Sequence, residues 1–252
     1  MTSFKFLDAA RGIPCGVRST AVCAALAATA VAFLPASVAQ AAPVTYDFQA
    51  WIADNGERGF SNSAPFQLTV SGLTLTATAF ELPGNTPSHV YMDDAFNGII
   101  GGMGVCSVLT PGNQCNPSSD DNVSIDAGKQ EKLVWEFSEN IRSVTLTLRD
   151  SEHFLFNGAN TPGGPNDSDT GMFQYAYGTS ENWVTASTDA LGMYSLVLDG
   201  SSNELRFRAV ATGLSNQFYI ASAQVAAVPL PPAILLLLSG LAAVGVMGRR
   251  TV

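Results

Sequence analysis

Positive charge is what this chain has least of: 12 lysines and arginines stand against 21 aspartates and glutamates. Such a surface repels phosphate backbones, which excludes nucleic acid as a partner. Histidine is scarcer still, with His89 and His153 alone in the chain. Two histidines so far apart form no His-Glu-x-x-His helix of the kind that holds catalytic zinc. No Gly-x-Ser-x-Gly nucleophile elbow occurs, and no P-loop or Rossmann glycine loop. Paired carboxylates for glycoside hydrolysis, or a Ser/His/Asp set, can be assembled on paper but carry no local signature. An unrecognised polysaccharide hydrolase is therefore an alternative without a motif, resting on Asp150 and His153. The middle of the chain has no long apolar run and no sustained 3.6-residue period.

The apolar runs lie at the two ends. At the N-terminus Lys5, Arg11 and Arg18 precede an uncharged stretch from Ser19 to Leu34, followed by Pro35 and Ala39-Gln40-Ala41. A basic n-region, an apolar h-region and an A-x-A site make a secretory signal peptide, residues 1–41, cut after Ala41. Cys23 follows Val22 without a lipobox, so a lipoprotein is rejected. At the C-terminus, residues 226–252 join a proline-rich turn, Val228-Pro229-Leu230-Pro231-Pro232-Ala233, to an uncharged run and then to Arg249 and Arg250. Prolines are tolerated ahead of a helix because the first turn has no intrahelical partner for an N–H. As a helix, Ala233 to Gly248 reaches roughly 24 Å, marginal against a hydrocarbon core of about 30 Å. Starting from Leu230 it just spans, as a single transmembrane helix with both arginines in the cytosol.

In that order of parts the tail resembles the sorting signal of PEP-CTERM proteins, in the variant written Val-Pro-Leu-Pro-Ala. It departs in having no Pro-Glu-Pro, an inserted Pro232, and Thr251 and Val252 after the arginines. The resemblance implies export across the inner membrane of a Gram-negative bacterium and a transient membrane anchor. It also implies cutting by an exosortase-type membrane protease near the prolines, then residence at the cell surface or in an exopolysaccharide matrix. A simple C-terminal anchor is the alternative.

Between the ends lies one domain by length, 42–225. Without Asp8, Lys5, Arg11, Arg18, Arg249 and Arg250, seven basic residues face twenty acidic ones, a net charge of −13. Its two cysteines, Cys106 and Cys115, form an even pair in an oxidising compartment, which predicts one disulfide.

The pattern is β throughout. Val44 to Trp51 reads as a first strand, and Phe66–Val70 with Leu73–Phe80 as a hairpin about Ser71-Gly72. His89–Met92 is a short strand, and glycine-rich Gly98–Gly104 leads into the cysteine loop. Lys132–Phe137 and Arg142–Leu148 each put three apolar residues on one face and join at Ser138-Glu139-Asn140 as a tight turn. Met193–Leu198 and Glu204–Ala209 do the same about Asp199–Asn203, and Phe218–Val225 is the last strand. Period-2 strands with Gly, Asn and Pro turns predict an all-β fold, an antiparallel β-sandwich of jelly-roll type.

Segments around 100–155 also resemble stretches that recur in the bodies of PEP-CTERM proteins. These are Gly102-Met-Gly104-Val-Cys106, Asp120-Asp121-Asn122-Val123, and a β-hairpin ending in Arg149-Asp150-Ser-Glu-His153. The resemblance implies a shared sandwich domain and no activity.

Two sets of side chains are candidate ligand sites. Asp120, Asp121, Asn122 and Asp150, with Glu152 and His153, are expected to converge at one end of the sandwich. Their hard oxygens suit Ca²⁺; the alternative is that they cap turns. Asp167 and Asp169 resemble only the start of a calcium loop. Trp51, Trp135, Trp183, Tyr175 and Tyr177 carry rings that stack on sugars. Trp135 sits on an alternating apolar face and is expected in the core. Trp183 follows a polar loop and is the exposed candidate for extracellular polysaccharide.

The expected function is thus a non-enzymatic exported sandwich delivered by its tail. The alternative is a carbohydrate-binding module, calcium-stabilised.

Overall fold

Strand-forming alternation dominates because most segments between turns carry β-branched or aromatic residues at every second position. The computed structural model describes residues 42–96, 98–126, 129–156, 171–212 and 216–228, all within one unit, Gln40–Leu230. The expected signal peptide, the expected sorting residues from Pro229 to Arg250 with their transmembrane helix, and the stretch with Asp167 and Asp169 lie outside the described residues. Among the described residues no helix is long and apolar enough to cross a membrane.

The chain runs β1 (Val44–Asp47), α1 (Phe48–Asn55), β2 (Arg58–Ser61), β3 (Phe66–Val70), β4 (Leu73–Leu82), β5 (Thr86–Pro87) and β6 (His89–Phe96). It continues through β7 (Ile99–Cys106), β8 (Ile125–Asp126), β9 (Lys129–Phe137), β10 (Ile141–Asp150) and β11 (Met172–Tyr177). It ends with β12 (Val184–Ser187), β13 (Met193–Val197), β14 (Glu204–Ala209) and β15 (Phe218–Ala227). One sheet has the order β13-β10-β15-β7-β6-β2, with β1 also on β15. The other has the order β12-β11-β14-β9-β4-β3, with β5 on β4 and β8 on β9. Every pairing is antiparallel. The expected all-β, two-sheet architecture is what the chain adopts.

One core lies between the sheets. From the eight-stranded sheet come Leu75, Ala77, Leu133, Trp135, Phe137, Leu205 and Phe207; from the seven-stranded sheet come Val144, Leu146, Leu148, Ile220 and Val225. Trp135 is fully buried, as its alternating face predicted, and its ring meets Phe48, Phe137 and Phe207. A side chain of this kind contributes roughly 1.5–3 kcal/mol on burial.

Four expectations need correcting. The first strand stops at Asp47, whose carboxylate accepts the Ala50 N–H at 2.9 Å and caps α1. Phe48 and Ile52, four residues apart, bury one face of that helix, and Gly56 ends it at φ 76°. Two turns were too short to show a period, although Asp47 and Gly56 are ordinary helix-end residues.

The expected tight turn at Ser138–Asn140 is an arch between sheets, since β9 pairs with β4 and β14 while β10 pairs with β13 and β15. Asp199–Asn203 is a second arch, from β13 to β14. Each pair of strands thereby presents its apolar face to the other across the core rather than side by side. The arches are tied together by Phe137 N–H to Asn203 O at 2.9 Å and Ile141 N–H to Ser202 O at 3.0 Å.

The glycine-rich stretch, to which the sequence assigned no element, forms strand β7, between β15 and β6. The final strand continues to Ala227, two residues past its expected end at Val225.

Candidate functional site

Strand β7 is glycine-rich because other groups press on it. A Cβ at Gly104 would lie 2.0 Å from the Asp121 carbonyl oxygen. One at Gly101 would lie 2.8 Å from Asp93 Oδ2 and 3.0 Å from His153 Nε2. Three stretches distant in sequence therefore meet here: the glycine strand, Asp121-Asn122, and the turn after β10.

That turn is built by Asp150. Its Oδ1 accepts the N–H groups of Glu152 and Phe154, both at 2.9 Å, and its carbonyl accepts the His153 N–H at 3.0 Å. His153 stands in the left-handed region, φ 69°, uncommon for a residue with a Cβ. Arg149 Nη1 donates to its carbonyl at 2.7 Å. The turn thereby aims the imidazole inward. Nε2 lies 2.6 Å from Asp93 Oδ2 on β6, and Nδ1 lies 2.6 Å from the Ile99 carbonyl. Nδ1 also lies 3.0 Å from the Phe96 N–H, but the shorter contact makes it the donor to Ile99. Burial opposes the imidazolium, yet Asp93, the Ile99 carbonyl and Asp121 outweigh it and raise the pKa.

Beside this pair, Tyr219 of β15 donates its hydroxyl to Asp121 Oδ1, and its ring stands edge-on to His153 at 4.9 Å. Burial, reinforced by the charge of Asp93, pushes Asp121 up to about 7 and outweighs the Tyr219 hydrogen bond. Burial and the same two carboxylates push Tyr219 upward as well. Asn122 holds Gln217 through Nδ2 at 3.3 Å, beside a bridge between Val123 and Phe218. Around these groups opens a cleft of about 470 Å³, also bordered by Glu57, Asp94, Phe96, Ser118 and Glu152.

Of the four expected calcium ligands, Asp121 and Asn122 line this cleft, as do Glu152 and His153. Asp150 and Asp120 do not: Asp150 organises its own turn, and Asp120 Oδ2 accepts the Ser107 N–H at 3.1 Å beside the cysteine loop. Among the described residues, one group sets three His, Cys, Asp or Glu ligand atoms within 4.8 Å of one another: Cys106, Cys115 and Asp120. Those cysteines are joined in the expected disulfide, Cα atoms 5.8 Å apart, so their sulfurs are not free thiolates. Sequence reasoning missed Asp93 and Tyr219. The signal for Asp93 was a carboxylate inside an apolar strand, Val90-Tyr-Met-Asp93.

A second cleft, of about 620 Å³, is lined by Leu82, Pro83, Gly84, Gln130, Glu181, Trp183 and Arg208. Trp183 is half-buried and fixed there. Its Nε1 donates to Glu181 at 2.8 Å, and the Arg208 guanidinium stacks 4.1 Å from the ring centroid. Glu181 is held in turn by Arg206 at 2.9 Å and Lys132 at 3.5 Å. Trp51 instead packs edge-on against Phe60 and Phe66.

No family profile, no curated protein and no solved structure matches this chain.

Proposed function

We propose that this chain is an exported cell-envelope protein, a jelly-roll-like sandwich that acts by binding rather than catalysis. An exosortase-type protease delivers it to the cell surface or the exopolysaccharide matrix. The observation that carries this reading is the fixed order of Val228-Pro229-Leu230-Pro231-Pro232-Ala233, an apolar run of marginal span, and Arg249-Arg250. An acidic domain and a cysteine pair suited to an oxidising compartment agree with it. Replacing Pro229, Pro231 and Pro232 with Ala leaves the span hydrophobic, so a plain anchor would behave as before. A sorting signal would instead leave uncut protein in the inner membrane of the native host. Equal mass and equal membrane fraction for mutant and wild type would decide for the plain anchor.

Carbohydrate binding is the second reading, favoured by the fixed Trp183. An indole locked by Glu181 and Arg208 at the border of a cleft has little freedom left to lose when a sugar ring docks. Retention on extracellular polysaccharide should fall in Trp183→Ala with an unchanged melting curve. Equal retention would remove Trp183 from the reading. The calcium part has weaker support, because Asp120 and Asp150 already spend carboxylate oxygens on backbone N–H groups.

A further inference from the structure

We infer that the cleft at Asp121 receives a small organic ligand through a protonated primary amine. This goes beyond delivery by the tail and does not depend on it. Five carboxylates border the cleft, those of Glu57, Asp93, Asp94, Asp121 and Glu152, and no lysine or arginine does among the described residues. Its one cationic group, His153, is engaged by Asp93. The remaining carboxylates face the cleft without a counter-charge among the groups that line it.

A second observation names the missing partner as a hydrogen-bond donor. Asn122 lines the cleft at 3% exposure. Its Nδ2 is used by Gln217, but Oδ1 has no hydrogen-bond partner among the described residues. A buried acceptor left unmade costs about 1–3 kcal/mol. An ammonium brings three donors and one positive charge, which serve both the acceptor and the carboxylates.

Geometry favours an organic ammonium over a metal ion. Calcium gathers six to eight oxygens at about 2.3–2.6 Å. The carboxylates here are spread around the cleft, and among the described residues no three of its His, Asp and Glu ligand atoms come within 4.8 Å of one another. A volume of about 470 Å³ instead matches a small molecule. Tyr219 and the half-exposed Phe96 supply aromatic surface beside the carboxylates, a combination suited to an organic cation. Ser118, Ser119 and Gln217 add polar groups for ligand hydroxyls, so an amino sugar is a fitting probe.

The test is calorimetric titration of the full chain, purified in detergent, with glucosamine, N-acetylglucosamine and calcium chloride. Saturable binding of glucosamine and none of its acetylated, uncharged counterpart is the expected result. Asp121→Asn and Glu152→Gln should each weaken that binding about tenfold or more. Glu152 is half-buried in the turn after β10 and borders the cleft from a different segment than Asp121, so its variant tests the site even where Asp121→Asn disturbs folding. Equal binding of the two sugars, no binding of either, tight calcium binding alone, or glucosamine binding unchanged in both variants would each overturn the inference. Purified protein is used, so failure here leaves the sorting reading untouched.

Discussion

His153 Nε2 lies 2.6 Å from Asp93 Oδ2, and both side chains are almost wholly withdrawn from water. A buried pair of this kind is costly to break, because removing one partner strands the other charge. It also ties the turn after β10 to strand β6 and so holds one wall of the cleft.

Stability should therefore depend on pH. Asp121 is raised to about 7, so the folded state holds its proton more tightly than the unfolded chain does. That contribution is fully present below the ordinary aspartate range and is lost as pH rises toward about 7. His153 is also raised, so its contribution is present below the ordinary histidine pKa and lost as pH rises through the folded value. Both act in the same direction: the melting temperature should fall as pH rises from about 5 to about 7. Asp121→Asn should flatten that slope and raise the melting temperature at the alkaline end. A melting temperature constant or rising over this interval would contradict the assignment.

Gly104→Ala should be strongly destabilising. Its Cβ would meet the Asp121 carbonyl, which is backbone and cannot swing away. Overpacking of this kind costs about 1–3 kcal/mol or more. Gly112 is the control, because a Cβ there meets nothing nearer than Thr110 Oγ1 at 3.8 Å. Gly112→Ala should stay within about 0.5 kcal/mol. Denaturant midpoints of the two variants check the difference.

Replacing Cys106 and Cys115 together with Ser should cost about 2–4 kcal/mol of stability. Mass spectrometry of the protein isolated from its native host should show neither Cys106 nor Cys115 alkylated before reduction. Trp135→Ala should cost more, about 3–5 kcal/mol, because it empties the centre of the core. If the disulfide variant loses more than the Trp135 variant, the cysteine loop is carrying more of the fold than its place beside Tyr91 and Leu109 suggests.

Much of the fold was legible in the sequence. Alternation fixes which side of a strand is apolar, so the inward positions of β9, β10, β13 and β14 could be read directly. Two cysteines in the middle of the chain, Cys106 and Cys115, identify their own partner. The reading proposed for the terminal segments rests on composition and order alone, which needs no tertiary contact.

Strand partners were decided only in three dimensions. A three-residue connection serves a hairpin or an arch equally well, and the choice at Ser138–Asn140 depended on what the rest of the chain placed across the core. The cleft was decided the same way. Asp120, Asp121 and Asn122 are alike as ligands on paper, but the close approach of Gly104 fixes the Asp121 backbone, and the side chains part company from there. Asp120 turns to Ser107, Asp121 to Tyr219, and Asn122 to Gln217. Asp93 meets His153 across sixty positions of sequence, a contact that no local pattern records, because sheet order brings β6 and the turn after β10 to the same end.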